Sequence, residues 1–271
     1  MIRFLILAGY FELTMYLQLS GKLNQYINLH YSYLAYISMF LSFVLALVQL
    51  IIWVKQMKIH SHLSGLWAKV ASIFLLCIPL FVGLFFPTVT LDSQTVSAKG
   101  YHFPVAAGSS KEIQQDEGTT TQYLKPDTSS YFTKSAYESE MKQAAKKYVD
   151  KKVIQVTTEN YMEVMEVIYD YPDQFAGKTI ELTGFVYNDP NNKDSQFLFR
   201  FGIIHCIADS GVYGLLTTGA PQHFENNTWI HAKGTLSIEY HKQLKQSLPV
   251  LHITDCQTIT KPDNPYVYRV F

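Results

Sequence analysis

Cysteine is scarce: Cys77, Cys206 and Cys256 are the three in the chain, and no two form a CxxC pair. Three are too few for a disulfide framework. Net charge is missing too, with 22 basic residues against 22 acidic. That balance removes the simplest argument for a nucleic-acid partner. Over residues 176–271 the count is again even, eight Lys/Arg to eight Asp/Glu, so the basic groove that single strands require is not expected. There is no GxSxG, no Walker loop and no HExxH, and no catalytic constellation stands out, so no enzymatic activity is expected. Charge is also sparse along residues 1–91, while residues 92–271 carry most of it.

What fills the N-terminal part is apolar. Residues 31–54, YSYLAYISMFLSFVLALVQLIIWV, contain no charge. A helix rises about 1.5 Å per residue, so roughly 20 such residues cross the hydrocarbon core. Tyr31, Tyr33 and Tyr36 at one end and Trp53 at the other suit the two membrane interfaces. Residues 70–87, VASIFLLCIPLFVGLFFP, predict a second span after Lys69. Pro79 lies mid-helix, which membrane helices tolerate where neighbours satisfy the freed backbone groups. Residues 2–20 predict a further span interrupted by Glu12. A signal peptide is the competing reading, but Glu12 breaks its apolar run and no A-x-A cleavage site follows. The basic residues set orientation. Arg3, Lys55, Lys58 and Lys69 fall on one side and Lys22 on the other, which predicts a cytoplasmic N-terminus and an extracytoplasmic C-terminal part.

Residues 88–152 predict a tether, partly disordered or helical. The stretch GSSKEIQQDEGTTTQYLKPDTSS lacks apolar periodicity, while residues 135–149 have the alanine, lysine and glutamate content of a polar helix. Residues 153–271 predict a folded domain. VIQV suggests a short strand, and Thr158 is the candidate N-cap of a helix through Asp170, with Pro172 beyond its end. Five strand-like runs follow at 179–187, 197–207, 212–217, 228–240 and 250–259. Gly184 and Gly234 fall inside strands, where glycine marks bulges and bends. Together these predict an α+β membrane protein: three N-terminal transmembrane helices within residues 1–87, the tether, and a C-terminal OB-like five-stranded β-barrel with a leading helix.

Several segments resemble a known family. SGKLNQYI at 20–27, GKTIELTGFVY at 177–187, FLFRFGIIHCIADSGVYGLL at 197–216, NTWIHAKGTL at 227–236 and NPYVY at 264–268 are similar to the YcgQ-like bacterial membrane proteins. The resemblance implies one subunit of a two-component permease beside a separate multi-span membrane protein, with a role in metal homeostasis, zinc in particular. It also implies a departure, since His205-Cys206 stands where members of the family often carry a Cys-Cys pair.

Five groups of residues are candidates for chemistry. Glu12 lies at membrane depth, where an ionisable group costs about 2.5–3.5 kcal/mol unless paired or hydrated; it is the candidate contact with a partner helix, against a snorkelling or protonated glutamate. His205, Cys206 and Asp209 are the candidate metal ligands, zinc being the metal such a set takes. In a regular strand successive side chains point to opposite faces, so His205 and Cys206 converge only if the strand stops before His205. The alternative is a core-facing histidine beside a buried thiol. Cys256 could supply a third ligand or a disulfide to Cys206. His60 and His62 read as part of a basic loop, and His231 and His252 as outward-facing strand residues. The function these features predict is an accessory membrane subunit of a permease; the alternative is a membrane-anchored extracytoplasmic module that binds metal or envelope glycan.

Overall fold

The computed structural model describes residues 1–57, 65–86, 88–100, 134–190, 196–241 and 246–269. His60 and His62, and most of the predicted tether, lie outside the described residues. The chain divides into two units, Met1–Thr90 and Leu91–Phe271.

The first unit holds α1 (Ile2–Leu19), α2 (Ser32–Val54) and α3 (Leu66–Phe85). These are the three described helices long and apolar enough to cross a membrane. A turn at Leu29–Tyr31 precedes α2, and the Asn28 side chain caps it by accepting from the His30 N–H at 3.1 Å. The third helix begins at Leu66, one turn before the predicted start, and takes in Lys69. Lysine is a good helix former whose stem can lie along apolar surface while its head reaches water, so it need not end a helix. α1 packs against both other helices. Gly9 receives the Leu80 side chain and Gly83 receives Leu13, where an added Cβ would stand 3.0 and 2.9 Å from the leucine methyls. Phe11 meets Phe43 at 5.3 Å between ring centroids. Tyr10 donates to the Leu76 carbonyl at 2.9 Å, in the turn that Pro79 loosens by lacking an N–H.

The second unit begins with α4 (Ser93–Lys99), which follows Asp92. The Asp92 carboxylate caps it by accepting from Gln94 and Thr95. Residues 91–99 are not tether: Val96 is buried in the core, the Leu91 N–H donates to the Tyr266 hydroxyl, and the Ser93 N–H donates to Asn227. A single buried valine among polar residues gives no periodicity from which such packing could be read. α5 (Lys134–Val149) is the predicted polar helix, and it has an apolar side. Met141, Ala144, Ala145 and Tyr148 are buried at the spacing of one helix face, against α6 (Tyr161–Asp170). Thr158 does not cap α6; the helix starts after Asn160, and the Thr158 hydroxyl serves Arg200 instead. α7 (Pro172–Phe175) is a single turn.

The strands are β1 (Val153–Gln155), β2 (Thr179–Asn188), β3 (Gln196–Ile203), β4 (Gly211–Thr218), β5 (Trp229–His241), β6 (Gln246–Thr258) and β7 (Val267–Tyr268). They form a mixed seven-stranded sheet in the order β1-β2-β5-β6-β4-β3-β7, with β2 also paired to β3. The sequence predicts six of these, β1 from VIQV and the five longer runs. The addition is β7, a flanking piece of two residues, too short to show alternation. β4 and β6 run parallel, as do β1 with β2 and β3 with β7; the other pairs are antiparallel.

Both expected glycine positions have a structural reason. The β5–β6 register shifts between Lys233 and Gly234, and a Cβ at Gly184 would lie 2.7 Å from the Phe199 carbonyl oxygen. Gly214 is tighter still, since a Cβ there would collide with the Leu198 carbonyl oxygen of the neighbouring strand. Backbone cannot yield as a flexible side chain does. Gly214→Ala is therefore expected to destabilise the second unit by about 3 kcal/mol. Urea unfolding of the detergent-solubilised chain, followed by Trp229 fluorescence with Trp53 and Trp67 replaced by phenylalanine, measures it.

Candidate functional site

Glu12 stands eleventh of the 18 residues of α1, roughly 15 Å along the axis from Ile2. It is exposed on the surface of the helical unit. Leu5, Met15, Tyr16 and Leu19 are exposed on the same helix. At about 100° per residue, Leu5, Glu12, Tyr16 and Leu19 share one stripe. Three other polar or small residues of the spans are engaged within the unit, while Ser38 on α2 is exposed like Glu12. Thr14 donates back to the Tyr10 carbonyl at 2.8 Å, Ala46 is buried, and Gly9 holds Leu80. Glu12 is the sole acidic residue among residues 1–91, so α1 presents a carboxylate outward at membrane depth.

The HCIAD segment takes a definite form. β3 ends at Ile203, before His205, so His205 and Cys206 are free of strand alternation. Cys206 then caps a short 3-10 turn, Ile207–Asp209. The Asp209 carboxylate accepts from the backbone N–H groups of His205 and Cys206 at 3.0 Å each. His205 Nδ1 lies 2.7 Å from Asp209 Oδ2. His205 is exposed and does not face the core, and Cys206 is half-buried. The structure thus brings His205 to Asp209, and much of the carboxylate's hydrogen-bonding capacity goes to shaping the turn between β3 and β4. Among the described residues no group of three or more His, Cys, Asp or Glu is placed to hold a metal ion. Cys206 and Cys256 are both free thiols, and burial pushes the Cys256 thiol up from its ordinary value, away from the reactive thiolate.

Other polar clusters emerge only in three dimensions. Arg200 is 3% exposed. Its guanidinium donates to the carbonyls of Asn264, Pro265 and Tyr266 at 3.0–3.2 Å and to the Thr158 hydroxyl at 3.0 Å. The Tyr161 and Trp229 rings lie 5.7 and 5.8 Å from it. On the sheet surface, His252 has Thr218 at 2.8 Å on Nδ1, with Ser237 at 2.8 Å and Glu239 at 2.6 Å on Nε2. The hydrogen bond from Ser237, more than the adjacent His252, holds the Glu239 carboxyl below its ordinary range. Strand register explains this second cluster, because Thr218 stands opposite His252 and Ser237 and Glu239 share a face of β5. Its open setting supplies no enclosed cleft for chemistry.

A cavity of about 310 Å³ lies at α5 and α6, lined by residues that include Glu140, Glu159, Glu163, Lys147, Glu166 and Arg269. Glu166 and Arg269 are the buried pair among them, 3.1 Å apart. Burial pushes the Glu166 carboxyl up to about 7, against the pull of Arg269. Dense apolar packing on α6 hid Glu166 from the sequence pattern; nothing in its spacing marks it as buried.

Three apolar helices and a mixed-sheet domain define a membrane protein with a folded C-terminal part. Its two sequence regions match the DUF1980 N-terminal domain over residues 2–102 and the DUF1980 C-terminal domain over residues 131–269, and the chain belongs to this family. It is 67% identical over its full length to a full-length Streptococcus mutans protein named "Putative two-component membrane permease complex subunit". It is also 40% identical, again over the whole of both chains, to the Bacillus subtilis protein named UPF0703 protein YcgQ.

The buried carboxyl has a pH consequence. A folded-state value of about 7 exceeds the ordinary 4.5, so the native state keeps a proton that the unfolded chain loses. The stabilisation is complete below about pH 4.5 and is lost as pH rises through 7, a fall on the order of 3 kcal/mol. Urea unfolding between pH 5 and 8 should show that decline in the wild type, and Glu166→Gln should flatten it.

Proposed function

We propose that this chain is the accessory membrane subunit of a two-component permease complex, and that α1 meets a multi-span partner through its Glu12 stripe. The outward carboxylate at membrane depth carries the reading. Lipid offers it neither a hydrogen bond nor a counter-charge, and such a group is costly unless a protein neighbour or water receives it. The name of the Streptococcus mutans relative, a permease complex subunit, supports the same assignment. Anchoring alone asks for one helix, whereas the described residues of this unit hold three.

On this reading the second unit is extracytoplasmic and works by binding rather than catalysis. The Lys/Arg distribution around the spans supports that side. An OB-like barrel is its proposed form. The pairings run from β2 through β5, β6, β4 and β3 and return to β2, which is the closure such a barrel needs. A second reading, an anchored module for metal or envelope glycan, has the His205–Asp209 pair as its supporting observation.

Two experiments bear on this. Affinity capture of the full chain from mild detergent should recover a multi-span membrane protein, and Glu12→Leu should lower the recovery about tenfold while Glu12→Gln retains part of it. Recovery of homo-oligomers alone, after in-cell crosslinking and in several detergents, would favour the anchored module. For topology, Lys22→Cys, Ser61→Cys and Asp116→Cys are made singly in a chain whose native cysteines are serines. A membrane-impermeant thiol reagent on intact cells should label positions 22 and 116 and spare 61; the inverse pattern reverses the orientation.

A further inference from the structure

A groove of about 940 Å³ opens among the three spans, at the end where α1 and α3 begin and α2 finishes. α1 packs on both neighbours and forms its floor. Each helix gives one face, with Arg3 and Ile6 from α1, Gln49 and Ile52 from α2, and Lys69 and Ile73 from α3 among the lining residues. Two cations, Arg3 and Lys69, therefore line the end where α1 and α3 begin, with Ile6 and Ile73 about one turn further along the same helices. Among the described residues, none that lines the groove is acidic, and the one acid of the unit, Glu12, is on the far side of α1.

We propose that this groove binds an acidic phospholipid of the cytoplasmic leaflet, its phosphate between Arg3 and Lys69 and an acyl chain along the apolar walls. Charge complementarity carries the choice of occupant. A basic pocket between transmembrane helices at the cytoplasmic side is suited to anionic headgroups, and the Lys/Arg distribution assigns this end to that side. Trp53, also in the lining, is the residue type that sits at headgroup level. Size argues against a helix of a partner protein as the occupant. A span of 20 residues, about 30 Å long and at least 10 Å across, fills on the order of 2,400 Å³, well beyond this space. A ligand of small-molecule dimensions fits it. Gln49 and Ser72, half-buried within the groove, offer hydrogen bonds to glycerol and ester oxygens below the phosphate.

Native mass spectrometry of the purified full chain tests this, with phosphatidylglycerol and phosphatidylcholine supplied in equal amounts. Phosphatidylglycerol adducts should dominate. The double variant Arg3→Gln, Lys69→Gln should lose about thirtyfold of that preference, the effect of two basic side chains near an anionic headgroup. Lys55→Gln, a cation at the same end but outside the groove, should leave it intact. Ile52→Trp, which fills the groove without altering charge, should reduce adducts of both lipids. Equal retention of the two lipids by the wild type, or a preference unchanged in the double variant, overturns the proposal. The chain is measured without any partner, so the result is independent of whether Glu12 binds a permease.

Discussion

Hydrocarbon offers no partner to a polar atom, and the N-terminal unit is arranged around that constraint. Its polar side chains are few and their placements differ in kind. Tyr10 spends its hydroxyl on the Leu76 carbonyl, and Thr14 returns its own to the preceding turn. Gln49 and Ser72 turn into the groove among the helices. Close packing at Gly9 and Gly83 supplies van der Waals contact, the attraction that remains once lipid and side chain are equally apolar. Against that arrangement Glu12 stands apart, since it is charged, sits at the same depth as Tyr10 and Thr14, and faces out.

Water sets a different problem for the second unit, where two arginines secure the C-terminal segment. Arg200 binds the carbonyls of residues 264–266, and Arg269 returns to Glu166 on α6. Burying a guanidinium costs several kcal/mol. Arg200 offsets that with four hydrogen bonds and two ring faces, whereas the Glu166–Arg269 pair does so less completely, as the raised carboxyl shows. The consequence is positional: β7, only two residues long and paired with β3, is flanked on both sides by these arginine contacts. Neither arginine forms a recognisable motif. Each is a single cation in its stretch of sequence, and the side-chain hydrogen bonds described span more than 40 residues.

That separation explains what the sequence could and could not show. Apolar runs identify the spans because their signal is local and long, and Lys69 misled only about where α3 begins. Strands with clear alternation, such as residues 179–187 and 228–240, were legible for the same reason. β7 and α4 were not, since two strand residues or one buried valine carry no period. HCIAD was legible as a cluster but not as a turn: the capping by Asp209 depends on β3 stopping at Ile203, which alternation alone does not fix. The Thr218–Ser237–Glu239–His252 cluster needs the register of three strands at once. Glu12 was the most legible candidate of all, because a carboxylate within an apolar run is anomalous from its neighbours in the chain alone.

The geometry of α1 connects the two proposals made for the membrane unit. At about 100° per residue, Arg3, Ile6 and Tyr10 on the groove face lie roughly 120–180° from Glu12 around the helix. The groove side is closed by α2 and α3, while the Glu12 side has neither against it. A lipid in the groove would therefore leave the Glu12 stripe open to a partner. The reverse also holds, so occupancy of one side does not sterically exclude the other. What couples them is the rigidity of α1 itself. Gly9 and Gly83 seat it against α3 and Phe11 packs it on α2, so a lipid in the groove would add contacts to the same helix that carries Glu12. A preorganised carboxylate loses less entropy on meeting its partner than one on a loosely held helix.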